Sequence, residues 1–180
     1  MDFNELIKTA HKNAVEKGFY DEPADDETLK ALIIGEAYEA LEAHRKGRFV
    51  RNPIILDQYM ASENHHLFEG MIKDTFGDEL ADTVIRICDY MGYRKLICSE
   101  EVRAFIGIRE DSIGSLCNKI ASMILVNHHG FDNCVNHNGF DNCLYYIKRY
   151  CEINGIPLEK HIEAKLKYNK SRPYKHGKNY

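Results

Sequence analysis

The stretch DDETLKALIIGEAYEALEAHRKG, residues 25–47, decides the fold class of this chain. Asp25 or Asp26 suits a helix N-cap, and Gly47 suits the position just past a helix C-terminus. The stretch therefore predicts a helix over residues 26–46. At about 100° per residue, one face of that helix is an apolar stripe, and Glu36 and Glu39 fall inside it. The apolar members of the stripe are Leu29, Leu32, Ile33, Ala40 and Ala43.

Helical periodicity continues on both sides of this stretch. It predicts further helices over residues 2–17, 74–91, about 99–126 (in two pieces because of Gly107 and Gly114), 141–153 and 157–170. Residues 47–73 contain Pro53 and mixed polar side chains, which predicts a long loop with one short helix at 54–62. No strand pair is recognisable. We therefore expect an all-α helical bundle, with residues 1–180 forming a single domain.

Length and composition exclude several classes of protein. The chain has 180 residues, of which 44% are hydrophobic and 29% charged, as in ordinary globular domains. Its apolar runs, such as Ile120 to Val126, are far shorter than the ~20 residues of a membrane span, and the first residues do not resemble a secretion signal. We expect a cytoplasmic protein with no membrane partner, whose six cysteines stay reduced.

Charge is distributed unevenly along the chain. The net charge is −4, but residues 157–180 hold six lysines and one arginine against two glutamates, a net of +5, which leaves −9 for residues 1–156. An acidic body with a basic tail predicts no binding to duplex nucleic acid as a whole, and it allows cations in one place and phosphates in another. The alternative interpretation is a solvated tail that only aids solubility.

Four acidic side chains are the candidate functional residues. Two carboxylates in an apolar stripe need cations, hydrogen-bond donors or water around them, although an internal salt bridge would also meet that need. The helix at 74–91 carries a second pair with the same spacing, beside its apolar face Phe76, Leu80, Val84, Ile87 and Met91. Two such pairs on packed helices offer the oxygen ligands that Mg²⁺ or Mn²⁺ prefers. The four acids are Glu36, Glu39, Glu79 and Asp82, whereas Glu42 falls on the outer side of its helix.

These residues also carry a resemblance. Glu36-Ala-Tyr-Glu39 and Glu79-Leu-Ala-Asp82 resemble the ExxE and ExxD motifs of the MazG-like, all-alpha nucleoside triphosphate pyrophosphohydrolase superfamily. The tail KLKYNKSRPYKHGK, residues 165–178, is similar to the Lys/Asn/Arg ending of one MazG-like branch. The resemblance covers residues 26–92 and 155–178, about half of the chain. The separation of Glu39 from Glu79 is longer than in compact members of the superfamily, and residues 93–154 form an extra segment without a counterpart.

The resemblance implies an activity and a site. A nucleoside triphosphate would be hydrolysed to a monophosphate and pyrophosphate, with Mg²⁺ or Mn²⁺ on Glu36, Glu39, Glu79 and Asp82. One of these four acids would also orient the attacking water, and Glu39 is the candidate. A homodimer or higher homo-oligomer is also implied. The residues expected to bind the substrate phosphates or ribose are Lys165, Asn169, Arg172 and Lys175, with His176 beside them. Tyr38 and Tyr168 are the candidates for stacking on the base.

Three other interpretations are open. A di-iron bundle needs two Glu-x-x-His motifs, and the chain has one, from Glu63 to His66. A MazG-like module that binds a nucleotide or a partner without hydrolysis is the non-enzymatic alternative. The tandem nonapeptides at 126–134 and 135–143 are interpreted as a duplication that extends a loop. Their alternative is a metal site made of His128, His129, Asp132, His137 and Asp141.

Overall fold

The computed structural model describes residues 1–23, 25–62, 64–99, 112–126 and 138–177, and the regular secondary structure in these ranges is helical, without a β-strand. The predicted all-α class is therefore confirmed. A short 3-10 turn, Tyr174–Gly177, follows the last helix. The helices are α1 (Phe3–Glu16), α2 (Asp26–Arg45), α3 (Ile54–Ala61), α4 (His65–Met71), α5 (Phe76–Tyr93), α6 (Ile113–Val126), α7 (Asn138–Ile153) and α8 (Leu158–Ser171).

The ends of α1 and α2 follow from their capping residues. The Asp2 carboxylate accepts hydrogen bonds from the backbone N–H groups of Asn4 and Glu5, and the Asp25 carboxylate accepts one from Thr28. These bonds satisfy amides that have no partner within the helix. Gly18 and Gly47 follow the two helices with φ of 79° and 66°, a conformation that favours glycine.

Helix α5 lies at the centre of the fold and packs against α1, α2, α7 and α8. Its predicted apolar face is buried from Phe76 to Met91. Gly77 allows α8 to approach closely, because a Cβ at this position would lie 2.3 Å from Nε2 of His161. Burial lowers the pKa of His161 to about 4, as expected for an imidazole removed from water.

The segment between α2 and α5 differs from the prediction. Instead of a long loop with one short helix, it contains both α3 and α4, which share a small second core with α8. Phe68 stacks on Tyr168 with ring centroids 4.3 Å apart. Lys167 of α8 donates hydrogen bonds to the carbonyl oxygens of Tyr59 and Met60 at the end of α3, each at 3.0 Å. This tertiary packing explains why a proline-containing polar stretch is helical.

The segment 93–154 contributes α6, which contacts both α2 and α7. The start of the predicted helix at 99–126 and most of the tandem repeat, including its three histidines and Asp132, lie outside the described residues. Helix α7 begins at Asn138 rather than 141, so the end of the second nonapeptide is helical and not part of a loop. Asp141 is buried there and accepts a hydrogen bond from the Ser99 N–H at 3.0 Å.

Two expectations from composition can be compared with this fold. Cys88, Cys98, Cys117, Cys143 and Cys151 are free thiols, all buried. No helix in the described ranges has the length and apolar character required to cross a bilayer.

Candidate active site

A pocket of about 730 Å³ lies between α1, α2, α5 and α8, with the segment after α8 at its edge. Its volume is within the range of roughly 300–1,000 Å³ that small-molecule sites occupy. Apolar side chains from three helices form part of its wall, and the remainder is strongly charged. The apolar residues include Leu29, Leu32, Ile85 and Leu166.

Three of the four predicted acids meet in this pocket. One carboxylate oxygen from each of Glu36, Glu39 and Glu79 lies within 4.8 Å of the other two. The arrangement follows from α2 packing against α5, because side chains three residues apart lie on the same face of a helix. The chain thus brings together an oxygen-only set of donors, the type that suits Mg²⁺ or Mn²⁺.

Glu79 is the most unusual member of the group. It is only 5% exposed, and its carboxylate has no hydrogen-bond or ion-pair partner in the part of the chain that the structure describes. Burial and, to a lesser extent, the neighbouring Asp82 carboxylate raise its pKa to about 8, although the Lys165 ammonium opposes the shift. A buried carboxylate without a partner is costly, so this side chain is suited to a cation.

Glu36 has a fixed partner. Arg86, one turn after Asp82 on α5, donates from Nε to Glu36 Oε1 at 2.7 Å. Burial and the nearby Asp82 raise the pKa of Glu36, whereas the guanidinium opposes that shift. The internal salt bridge considered from the sequence is therefore present at Glu36, and it accompanies the three-carboxylate group rather than replacing it.

The sequence argument placed Glu39 inside the apolar stripe, and this detail is wrong. Glu39 is exposed at the mouth of the pocket. Three alanines in the buried face of α2 allow α5 to pack closely, and Leu29 and Leu32 at the edge of that face line the pocket instead. That face consists of Lys30, Ile33, Ala37, Ala40 and Ala43.

Glu42 lies away from this group, as predicted. It pairs with Arg45 at 2.7 Å and Lys46 at 2.8 Å on the surface. These hydrogen bonds lower the pKa of Glu42 to about 2.

The fourth predicted acid, Asp82, lines the pocket but falls outside the three-carboxylate group. Its Oδ2 lies 2.6 Å from Nζ of Lys165, which lies 2.8 Å from Oδ2 of Asp78 as well. Asp78 is fully buried, and burial raises its pKa to about 7 although the ammonium opposes the shift. Sequence analysis did not single out Asp78. Its position next to Gly77 and one turn before Asp82 is the only signal in the sequence.

Lys165 was predicted to contact phosphate. It lines the pocket, but its side chain is only 7% exposed and its ammonium lies between two carboxylates. Those carboxylates raise its pKa, although burial alone would lower it. Lys165 therefore stays charged and contributes a fixed positive charge to the acidic wall.

The other predicted substrate-binding residues also line the pocket: Asn169, Arg172 and Lys175, with His176 beside them. Arg172 does not continue the helical face as expected, because α8 ends at Ser171 and Arg172 is extended, with φ −71° and ψ 153°. Pro173 follows it, and the residue before a proline avoids the helical region. The two residues at the pocket edge, Lys175 and His176, have positive φ values of 45° and 52°.

Helix α1 anchors this tail. Nζ of Lys17 donates to the carbonyl oxygens of Lys170 and Arg172, at 2.8 and 2.6 Å. The backbone N–H of Lys175 donates to the Lys17 carbonyl at 2.8 Å. The Arg172 guanidinium then reaches the His176 carbonyl at 3.3 Å. These contacts hold a left-handed turn that non-glycine residues seldom adopt.

The pocket also contains a buried amide and two aromatic rings that the sequence analysis did not single out, beside the predicted Asn169. Nδ2 of Asn13 and Oδ1 of Asn169 are buried without a hydrogen-bond partner among the described residues. Phe19 and Tyr20 are the aromatic residues of the wall. The predicted stacking candidates have other roles, since Tyr38 bonds to Asn118 and Tyr168 stacks on Phe68.

No protein-family model matches the chain, and no match was found among curated proteins or among solved structures.

Proposed function

We propose that the protein hydrolyses a nucleoside or deoxynucleoside triphosphate to the monophosphate and pyrophosphate, in a reaction that depends on a divalent metal ion. The observation that carries the proposal is the unpartnered, buried Glu79 within 4.8 Å of Glu36 and Glu39. The same pocket is lined by a row of cationic tail residues. A substrate made of phosphates and a metal ion needs acidic side chains that bind the metal and, beside them, cationic side chains that bind the phosphates.

The donor set fits Mg²⁺ or Mn²⁺. Glu36, Glu39 and Glu79 would hold the ion, and the partnerless Glu79 carboxylate is the residue that most needs one. When bound, such an ion polarises a phosphate and lowers the pKa of a water. In this proposal Glu39, which is exposed and lines the pocket, accepts the proton of the attacking water.

The tail residues bind and orient the phosphates in this proposal. Arg172 and Lys175 supply positive charge at the edge of the pocket, and Asn169 lies three residues before Arg172, in the last turn of α8. Their positions are fixed by the hydrogen bonds of Lys17. Leu29, Leu32 and Phe19 offer the apolar surface for the base. One water is consumed, the bond joining the α and β phosphates breaks, and pyrophosphate leaves.

The alternatives predict different outcomes. The three-carboxylate group contains no histidine, and His66 is almost fully exposed on α4, which disfavours a di-iron centre in the described part of the chain. A non-catalytic module would bind the nucleotide without turnover.

The homodimer or higher oligomer implied by the resemblance is also part of the proposal, and light scattering of the purified chain checks it.

The proposal is tested with a panel of ribo- and deoxynucleoside triphosphates, in Mg²⁺ and in EDTA, with products identified by ³¹P NMR. We expect equal amounts of monophosphate and pyrophosphate from at least one substrate, and none in EDTA. Release of orthophosphate, or turnover that persists in EDTA, would overturn the reaction. Binding of a triphosphate without turnover would support the alternative interpretation, a module that binds the nucleotide without hydrolysing it.

A further inference from the structure

Five carboxylates lie in or directly behind the acidic wall of the pocket, and three of them already have a cation of the chain itself as a partner. Arg86 is bonded to Glu36 at 2.7 Å. Lys165 contacts Asp82 at 2.6 Å and, at 2.8 Å, Asp78, which lies just behind the wall. Glu39 and Glu79 have no such partner among the described residues.

The three oxygens of the metal group converge on one place. They lie within 4.8 Å of each other, and no Asp82 oxygen joins them. A two-ion centre places its ions about 3.5–4 Å apart and needs carboxylates on both sides. A second ion would need Asp82 as a ligand, but the Asp82 carboxylate is already paired with the Lys165 ammonium.

Lys165 is not free to leave when a metal arrives. Its side chain is only 7% exposed, and its ammonium lies 5.6 Å from the centre of the Phe68 ring. Asp78 is completely buried, and Lys165 is its only cationic partner in the described ranges. Moving Lys165 would leave the Asp78 carboxylate with a backbone hydrogen bond from Asp74 but without a counter-charge, which is unfavourable for a buried carboxylate.

We propose that the pocket holds one divalent ion per chain, on Glu36, Glu39 and Glu79, and that Lys165 supplies the second positive charge. Asp82 is then a positioning residue for Lys165 and not a metal ligand. This inference rests on the metal site of the proposed function, and it replaces the set of four carboxylate ligands expected from the sequence. Lys165 keeps its charge next to the carboxylates, so it presents the second cation at all times.

The test is Mn²⁺ binding to the full chain without nucleotide, followed by the EPR signal of free Mn²⁺. We expect one ion per chain. Glu79→Gln and Asp82→Asn are matched variants, since each removes one carboxylate charge from α5 with little change of shape. We expect Glu79→Gln to weaken Mn²⁺ binding by at least ~10-fold, and Asp82→Asn to change it by less than ~3-fold.

Each outcome bears on a different part of the account. Two ions per chain, or equal losses in the two variants, would overturn the inference and leave the proposed function intact. Absence of Mn²⁺ binding to the unmodified protein would overturn both. The number of bound ions is measured on the unmodified chain, so that result is valid even if a variant fails to fold. Circular dichroism checks the folding of both variants.

Discussion

Arg86 of α5 donates its Nε–H to Glu36 of α2 at 2.7 Å, and this ion pair joins the two helices that carry the acidic group. Glu36 is 12% exposed and Arg86 25%, so water screens the pair only weakly. The pair therefore connects the stability of the fold to the charge of the site.

Arg86→Met leaves the Glu36 carboxylate without its counter-charge. We expect the free energy of unfolding in EDTA at pH 8 to fall by about 1–3 kcal/mol. The loss should be smaller at pH 5, because protonation of Glu36, whose pKa burial already raises, removes the unpaired charge. Urea denaturation at the two pH values measures both quantities.

Arg45→Met is the matched control, because Arg45 pairs with the exposed Glu42 on the surface of α2. It should cause no measurable loss of stability. A loss at Arg86 no greater than at Arg45 would contradict a structural role for the Glu36 pair.

The stability of the metal-free protein should fall as the pH rises. Glu79 has a pKa of about 8 in the fold, above its ordinary 4.5, so the folded chain binds a proton that the unfolded chain releases. The stabilising contribution is complete below about pH 4.5 and disappears as the pH passes through 8. We expect the free energy of unfolding in EDTA to drop by at least ~1 kcal/mol between pH 5 and pH 8.

Glu79→Gln cannot titrate and should flatten this profile. Mg²⁺ should also reverse the loss at pH 8 in the unmodified chain, because an ion that binds only the folded state stabilises it. An identical pH profile in the variant would show that Glu79 is not the titrating group.

Gly77 determines how closely α8 approaches α5. In Gly77→Ala the new Cβ would lie 2.3 Å from the His161 ring, so the helices must separate. We expect a loss of about 1–3 kcal/mol, the usual cost of overpacking. Gly70→Ala is the control, because nothing lies within 4 Å of a Cβ there and the change should stabilise α4 slightly. Chemical denaturation measures the free energy of unfolding of both variants. Equal values for the two variants would contradict the close packing of α8 on α5.

Sequence reasoning succeeded where local chemistry determines structure. The carboxylate cap at Asp25, the helical periodicity of the apolar residues and the spacing of the acids within α2 and α5 are local features, and they predicted the helices and the meeting of Glu36 with Glu79. Sequence reasoning failed where the structure depends on a contact with a residue that is distant in the chain. Asp78 and Lys165 are separated by 87 positions, and α4 is stabilised by the Phe68–Tyr168 stack. Neither contact has a signature in a single sequence.

The tail supports a kinetic prediction. Arg172→Ala should raise the KM for a triphosphate by about 10-fold while the melting temperature changes little, because a charge-assisted contact with phosphate is lost. Lys170→Ala is the control: it removes one positive charge two residues away, on the exposed side of α8 and outside the pocket wall. An equal rise in KM for both variants would assign the effect to general charge and not to Arg172.

The most direct test of metal-dependent hydrolysis compares Glu39→Gln with Glu42→Gln. Glu39 belongs to the three-carboxylate group, and Glu42, three residues later on α2, pairs with Arg45 outside it. Both changes are isosteric and lie at accessible positions, so the fold should survive either one. The measurement is the initial rate of pyrophosphate release from the preferred triphosphate in Mg²⁺. We predict that Glu39→Gln lowers the rate by at least ~100-fold and that Glu42→Gln retains it. Full activity in the Glu39 variant, or equal losses in both, would contradict the account.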